Sequence, residues 1–146
     1  MKQLLVGLLV LTSTSFGLAQ SSGGAAGGPA ALGVSQTDDL GEFLVDAEGM
    51  TLYLFTNDTD NTSTCYDDCA SAWPPLLTGG EPTVGEGLDA ALVGTTERTD
   101  GTTQVTYGGW PLYTWVQDEA PGDTTGQDVG GVWYVVSPAG EAVQSE

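Results

Sequence analysis

Cys65 and Cys69 are the only cysteines in this chain, spaced as Cys65-Tyr66-Asp67-Asp68-Cys69. Two thiols so placed offer three chemistries: a disulfide, a redox-active pair, or half of a zinc site. The spacing is not Cys-x-x-Cys, and the carboxylates of Asp67 and Asp68 between the thiols disfavour the thiolate that redox exchange needs. Zinc needs two more soft or nitrogen ligands, and the chain contains no histidine. The disulfide is the first expectation and a redox pair is its alternative. The bridge would close a very short loop, so its entropic gain is small beside that of a long crosslink.

The carboxylates around these cysteines are the second candidate. Asp58, Asp60, Asp67 and Asp68 lie within one segment, interleaved with Asn57, Asn61, Thr62 and Thr64. Calcium takes six to eight oxygen ligands of these types. The Asp58-x-Asp60-x-Thr62 alternation resembles the opening of a calcium loop, without the central glycine or closing glutamate of an EF-hand. A solvated polar loop has the same composition. An acid/base carboxylate pair for glycoside hydrolysis is a remoter reading. Asp58 and Asp118 differ from the other acids, because each directly follows a Tyr-x-aromatic strand end. A carboxylate there can cap its own loop by accepting backbone N–H bonds. The lack of histidine removes Ser-His-Asp and Cys-His catalysis and haem ligation by histidine. No resident cofactor is expected, calcium apart.

The charge balance narrows the partners. The 146 residues carry 20 acidic and 2 basic side chains, a net of −18. Nucleic-acid binding is excluded, because nothing could neutralise phosphates. A cation, or a cationic partner in the cell envelope, remains compatible with such a surface.

The first nineteen residues read as a signal peptide. Lys2 is the basic start, residues 4–11 are apolar, and Gly17-Leu18-Ala19 is a small-x-small cleavage signal. The apolar run is too short to span a bilayer, which takes about 20 residues. Cleavage would leave Arg98 as the only cationic side chain. There is no cysteine at the cleavage site to carry a lipid anchor, so a free extracytoplasmic protein is expected. Residues 20–32 are rich in Gly, Ser and Ala and read as a flexible linker. A single domain spans residues 33–146.

The elements that must position these residues are written twice. Gly49-Met50-Thr51-Leu52-Tyr53-Leu54-Phe55-Thr56-Asn57-Asp58 returns as Gly109-Trp110-Pro111-Leu112-Tyr113-Thr114-Trp115-Val116-Gln117-Asp118. The same offset matches Gly41 to Gly101, Thr64 to Thr124, Asp68 to Asp128 and Trp73 to Trp133. One supersecondary unit has been used twice, over about residues 34–86 and 94–146. Residues 42–46 and 51–56 read as a hairpin, and so do 102–107 and 111–116 around Gly108-Gly109. Residues 67–72 fit one helical turn, stopped by Pro74-Pro75. Residues 132–136 fit a strand. Residues 88–93 fit a helix or a strand equally well. Tyr53/Phe55 and Tyr113/Trp115 mark a repeated aromatic face, expected in the core or between the copies.

At these residues the chain resembles a bacterial family of secreted repeat lipoproteins. Tyr53 to Asp58 and Tyr113 to Asp118 are similar to that family's Tyr-x-(Phe/Trp/Tyr)-x-x-Asp motif. Cys65-Tyr66-Asp67-Asp68-Cys69-Ala70-Ser71-Ala72-Trp73-Pro74-Pro75-Leu76 resembles its Cys-x-x-x-Cys-Ala-x-x-Trp-Pro-Pro-Leu segment. Residues 120–127 followed by Trp133 resemble the ending of its second copy. The resemblance implies an extracytoplasmic bacterial protein and implies no activity. Two departures stand out. The anchoring cysteine common in the family is missing, and Trp110 stands where many members have histidine.

The expectation is an all-β domain of two pseudo-repeats, sandwich or barrel-like, with a short helical turn after the first hairpin. Trp73 and Trp133 should pack between the repeats. The expected role is a secreted or envelope-associated, non-catalytic binding or structural module. A redox or electron-transfer accessory using Cys65/Cys69 is the alternative.

Overall fold

A computed structural model describes residues 28–144. The expected signal peptide and residues 20–27 of the expected linker lie outside the described residues. Order begins earlier than composition suggests. Ala31 and Leu32 already pair with Thr83 and Val84, and Ala30 N–H donates to Thr78 Oγ1 at 2.9 Å. Backbone pairing recruits these residues even though few of them are bulky.

Strands β1 (Ala31–Thr37), β2 (Gly41–Val45), β3 (Tyr53–Phe55) and helix α1 (Asp68–Ala72) make up the first half. Strand β4 (Thr83–Val84) and a 3-10 turn (Ala90–Leu92) lead to the second. There β5 (Val93–Glu97), β6 (Thr103–Tyr107), β7 (Trp110–Pro111) and β8 (Trp133–Val135) follow. They form three small sheets, ordered β2-β1-β4, β3-β8 and β5-β6-β7. The domain is all-β, and none of the three sheets closes into a barrel.

The repeat is visible in the backbone. Hairpin β1–β2 corresponds to hairpin β5–β6. The twin glycines Gly41/Gly101 have φ of 74° and 90°, and Gly49/Gly109 have 85° and 88°. Gly108 and Gly109 form the two-residue turn between β6 and β7, where both central φ values must be positive. The first hairpin differs from its expected form. Val45↔Thr51 is the one bridge across the turn, flanked by the Asp46 N–H bond to Met50 and the Leu52 N–H bond to Leu44, and β2 pairs along its whole length with β1.

The copies are interlocked rather than side by side. Strand β3 of the first copy pairs with β8 of the second. Conversely, Thr114 and Val116 of the second copy donate N–H bonds to Pro74 and Ala72 of the first. Tyr53 and Tyr113 exchange both backbone bonds, at 2.8 and 3.0 Å, on the pseudo-twofold axis. Alternation then sorts side chains into two cores. Leu52, Leu54 and Leu112 join Leu44, Val105 and Val136 on one side. Tyr53 and Tyr113 join Trp73, Trp133, Phe43 and Cys65 on the other.

Candidate functional site

The residues shared by both repeats meet at the axis. Tyr53 O–H donates to Asp118 Oδ2 at 2.7 Å, and Tyr113 O–H donates to Asp58 Oδ2 at 2.7 Å. Each tyrosine therefore serves the carboxylate of the other copy. The second oxygen of each acid holds its own loop. Asp58 Oδ1 accepts from Thr64 N and Oγ1, both at 2.8 Å. Asp118 Oδ1 accepts from Thr125 N at 2.9 Å and Oγ1 at 2.6 Å. The threonine matching Thr64 is thus Thr125, not the Thr124 of a constant sixty-residue offset. The second loop is one residue longer before this point, and the left-handed residues Asp67 and Asp128 (φ 57° and 69°) show the same slip.

Burial and charge act together on these groups. Burial, reinforced by the Asp118 hydrogen bond, raises the Tyr53 phenol far above its ordinary pKa. Burial raises Tyr113 likewise, with the Asp58 charge adding to it. Burial raises the Asp58 carboxyl, against the opposing bonds from Tyr113 and Thr64 and the charge of Arg98.

Beside the two pairs lies a stack of four rings. Phe55 lies on Trp133 at 4.2 Å, Trp133 on Trp73 at 3.8 Å, and Trp73 on Trp115 at 3.9 Å between centroids. The order is palindromic under the repeat, since Phe55 matches Trp115 and Trp73 matches Trp133. Tyr53 and Tyr113 meet the two inner indoles edge-on, at 5.4 and 5.2 Å. Edge-on and stacked contacts of this kind add about 0.5–1.5 kcal/mol per pair beyond area burial.

One side of the axis carries additional chemistry. Arg98 is buried, 5% exposed. It donates to Ser63 Oγ at 3.0 Å, Gln104 Oε1 at 2.9 Å and the Cys65 carbonyl at 2.8 Å. Its guanidinium also lies 4.2 Å from the Tyr66 ring centre. The Tyr113 proton is committed to Asp58, so Ser63 donates to Tyr113, completing an Arg98–Ser63–Tyr113–Asp58 chain. Cys65 and Cys69 form a disulfide, which begins the turn of α1 leading to Trp73. The sequence reading marked Arg98 for its charge alone and did not place Arg98, Ser63 or Gln104 in a site. The available signal was that Arg98 is the only lysine or arginine among the described residues, but nothing periodic marks it as buried.

The four acids considered for calcium are placed differently from one another. Asp58 is buried, with both oxygens committed, while Asp60, Asp67 and Asp68 are exposed. Among the described residues, no three His, Cys, Asp or Glu side chains are grouped to hold a metal ion.

An open cleft of about 540 Å³ lies away from the axis. Its walls include Glu81, Thr95 and Thr103, the backbone of Gly79 and Gly94, and apolar Val84 and Val93. No helix among the described residues is long and apolar enough to cross a membrane.

Neither a curated protein nor a solved structure matches the chain. A family described as a secreted repeat of unknown function matches residues 34–77 and 94–137. Those spans contain the Tyr–Asp pairs, the ring stack and the disulfide, and they cover more than half of the sequence. The chain therefore belongs to this family of secreted repeats, and carries two copies of its unit.

Proposed function

We propose that the protein is a non-catalytic binding module acting outside the cytoplasm, and that its contact face is the cleft beside the inter-repeat segment. One observation carries this reading. The side chains common to both repeats are consumed in holding the repeats together, whereas the cleft draws mostly on residues 78–93, between the two matched repeats, with Gly94, Thr95 and Thr103 at the start of the second. Glu81 is its one charged wall residue. The apolar surface of Val84 and Val93 lies in the same cleft. A lysyl side chain suits this lining, with its stem on the valines and its ammonium toward Glu81. The expected partner is a cationic protein or peptide of the envelope.

Amide NMR of the protein titrated with trilysine tests this. Shifts centred on Gly79, Gly80 and Gly94, weakened by salt and by Glu81→Gln, are expected. Shifts spread evenly over the acidic surface, or none, would remove the cleft from consideration. The same spectra with calcium address the acidic loop, where a saturable response confined to residues 58–68 would favour a cation site. A thiol-exchange role for Cys65/Cys69 has less support. Cys65 is fully buried, and its carbonyl anchors Arg98.

A further inference from the structure

The ring stack and the two Tyr–Asp pairs form one connected assembly. Its inner indoles, Trp73 and Trp133, are buried, and its outer rings, Phe55 and Trp115, are half-buried. Every neighbouring pair in the stack lies within 4.2 Å, and each inner indole has a tyrosine at its edge. Indole and phenol are the side chains that surrender a single electron most readily. A phenol does so most easily when its proton can leave with the electron. Both phenols here already donate to a carboxylate at 2.7 Å.

We propose that this assembly conducts one-electron oxidation from half-exposed Trp115 to the two buried tyrosines, so that the protein stores one oxidising equivalent as a buried tyrosyl radical without involving the disulfide. An external oxidant, a one-electron-accepting metal complex, takes an electron from Trp115 and is reduced by one unit. The vacancy passes to Trp73 and Trp133. Tyr53 or Tyr113 refills it, and its phenolic proton moves to Asp118 or Asp58. The products are a neutral tyrosyl radical, a protonated carboxyl and the reduced oxidant. Only an O–H bond breaks. The two ends of the stack are unequal, because the benzene ring of Phe55 is much harder to oxidise than indole, so entry is at Trp115. Burial raises the proton affinity of both phenols and of the Asp58 carboxylate that would take the Tyr113 proton.

The test is flash oxidation of the intact protein by a photogenerated ruthenium(III) polypyridyl, followed by transient absorption and freeze-quench EPR. A tryptophan radical that decays into a tyrosyl radical is expected, with slower decay in heavy water. Tyr53→Phe with Tyr113→Phe should abolish the tyrosyl signal and leave the tryptophan radical long-lived. Trp115→Phe should slow tyrosyl formation. A radical confined to Tyr66, Tyr107 or Tyr134, or a rate indifferent to Trp115→Phe, would overturn the proposal. If the double variant does not fold, the heavy-water effect in the unaltered protein decides, and its absence counts against the proposal. Cleft binding is read separately, so either idea can fail alone.

Discussion

At the residue scale, a few buried polar atoms at the axis tie the two copies to each other. A hydrogen bond to a charged acceptor contributes about 1.5–3 kcal/mol, and the fold has two such tyrosine donors in symmetric places. Tyr113→Phe should therefore cost about 1–3 kcal/mol in urea unfolding, since it strands a buried carboxylate oxygen. Tyr53→Phe should cost a similar amount, because each phenol also accepts a second buried bond, Tyr53 from Gly126 N–H at 3.1 Å and Tyr113 from the Ser63 hydroxyl. A clearly larger loss at Tyr113 would show that the Arg98–Ser63 branch adds to its pair. Gly126 is a second critical position. A Cβ there would lie 2.8 Å from Trp73 and 2.9 Å from Tyr53, so Gly126→Ala should destabilise by about 1–3 kcal/mol through overpacking. The repeated Tyr and Asp were legible in the sequence as strand and loop-capping residues. Their exchange between copies was not, because a sixty-residue repeat has the same pattern whether each tyrosine serves its own acid or its twin's. Gly126 gave no signal at all, since its counterpart Cys65 carries a side chain.

At the element scale, the disulfide and α1 act as a clip on the first loop. The bridge joins residues four apart, for which loop entropy gives about 2 kcal/mol. Replacing both cysteines with alanine should lower the unfolding free energy by about that amount in chemical denaturation. A much larger loss would mean that the clip also holds Arg98, through the Cys65 carbonyl. Strands rich in aromatic or β-branched residues, such as β3, β6 and β8, were readable from alternation. Strands β1 and β5 were not. Val34-Ser35-Gln36-Thr37 and Val93-Gly94-Thr95-Thr96-Glu97 are largely polar, and they become strands because β2 and β6 offer them a partner. Residues 88–93, ambiguous in sequence, divide between the 3-10 turn and the start of β5. The Asp89 side chain accepts from Ala91 N–H to cap that turn.

At the scale of the whole molecule, charge and burial both favour acid conditions. The folded state holds the Asp58 proton more tightly than the unfolded chain does. Its contribution is complete below the unfolded pKa and is lost as pH rises through the folded one. Relief of repulsion among 20 acidic side chains acts in the same direction. Asp100 opposes them, because hydrogen bonds from Thr102 lower its pKa, but it is fully exposed and its share is small. The melting temperature should therefore rise as pH falls from neutrality toward the carboxylate range. Asp58→Asn should flatten that rise, as read by calorimetry across pH. The all-β class and the two copies followed from the sequence. The way the copies interlock did not, because strand pairing between distant segments leaves no local pattern.

That interlock has a consequence for the order of events in the cell. Strand β3 and Tyr53 find their partners only once β8 and Asp118 exist, so the first copy cannot finish folding while the second is still being made. Most chains begin folding from the N-terminus as it emerges from the ribosome. This one would wait, its first copy left without its partner strand until the last residues of the second have been made. Drawn out by its ends in an optical trap, the finished protein should give way in one rip rather than two.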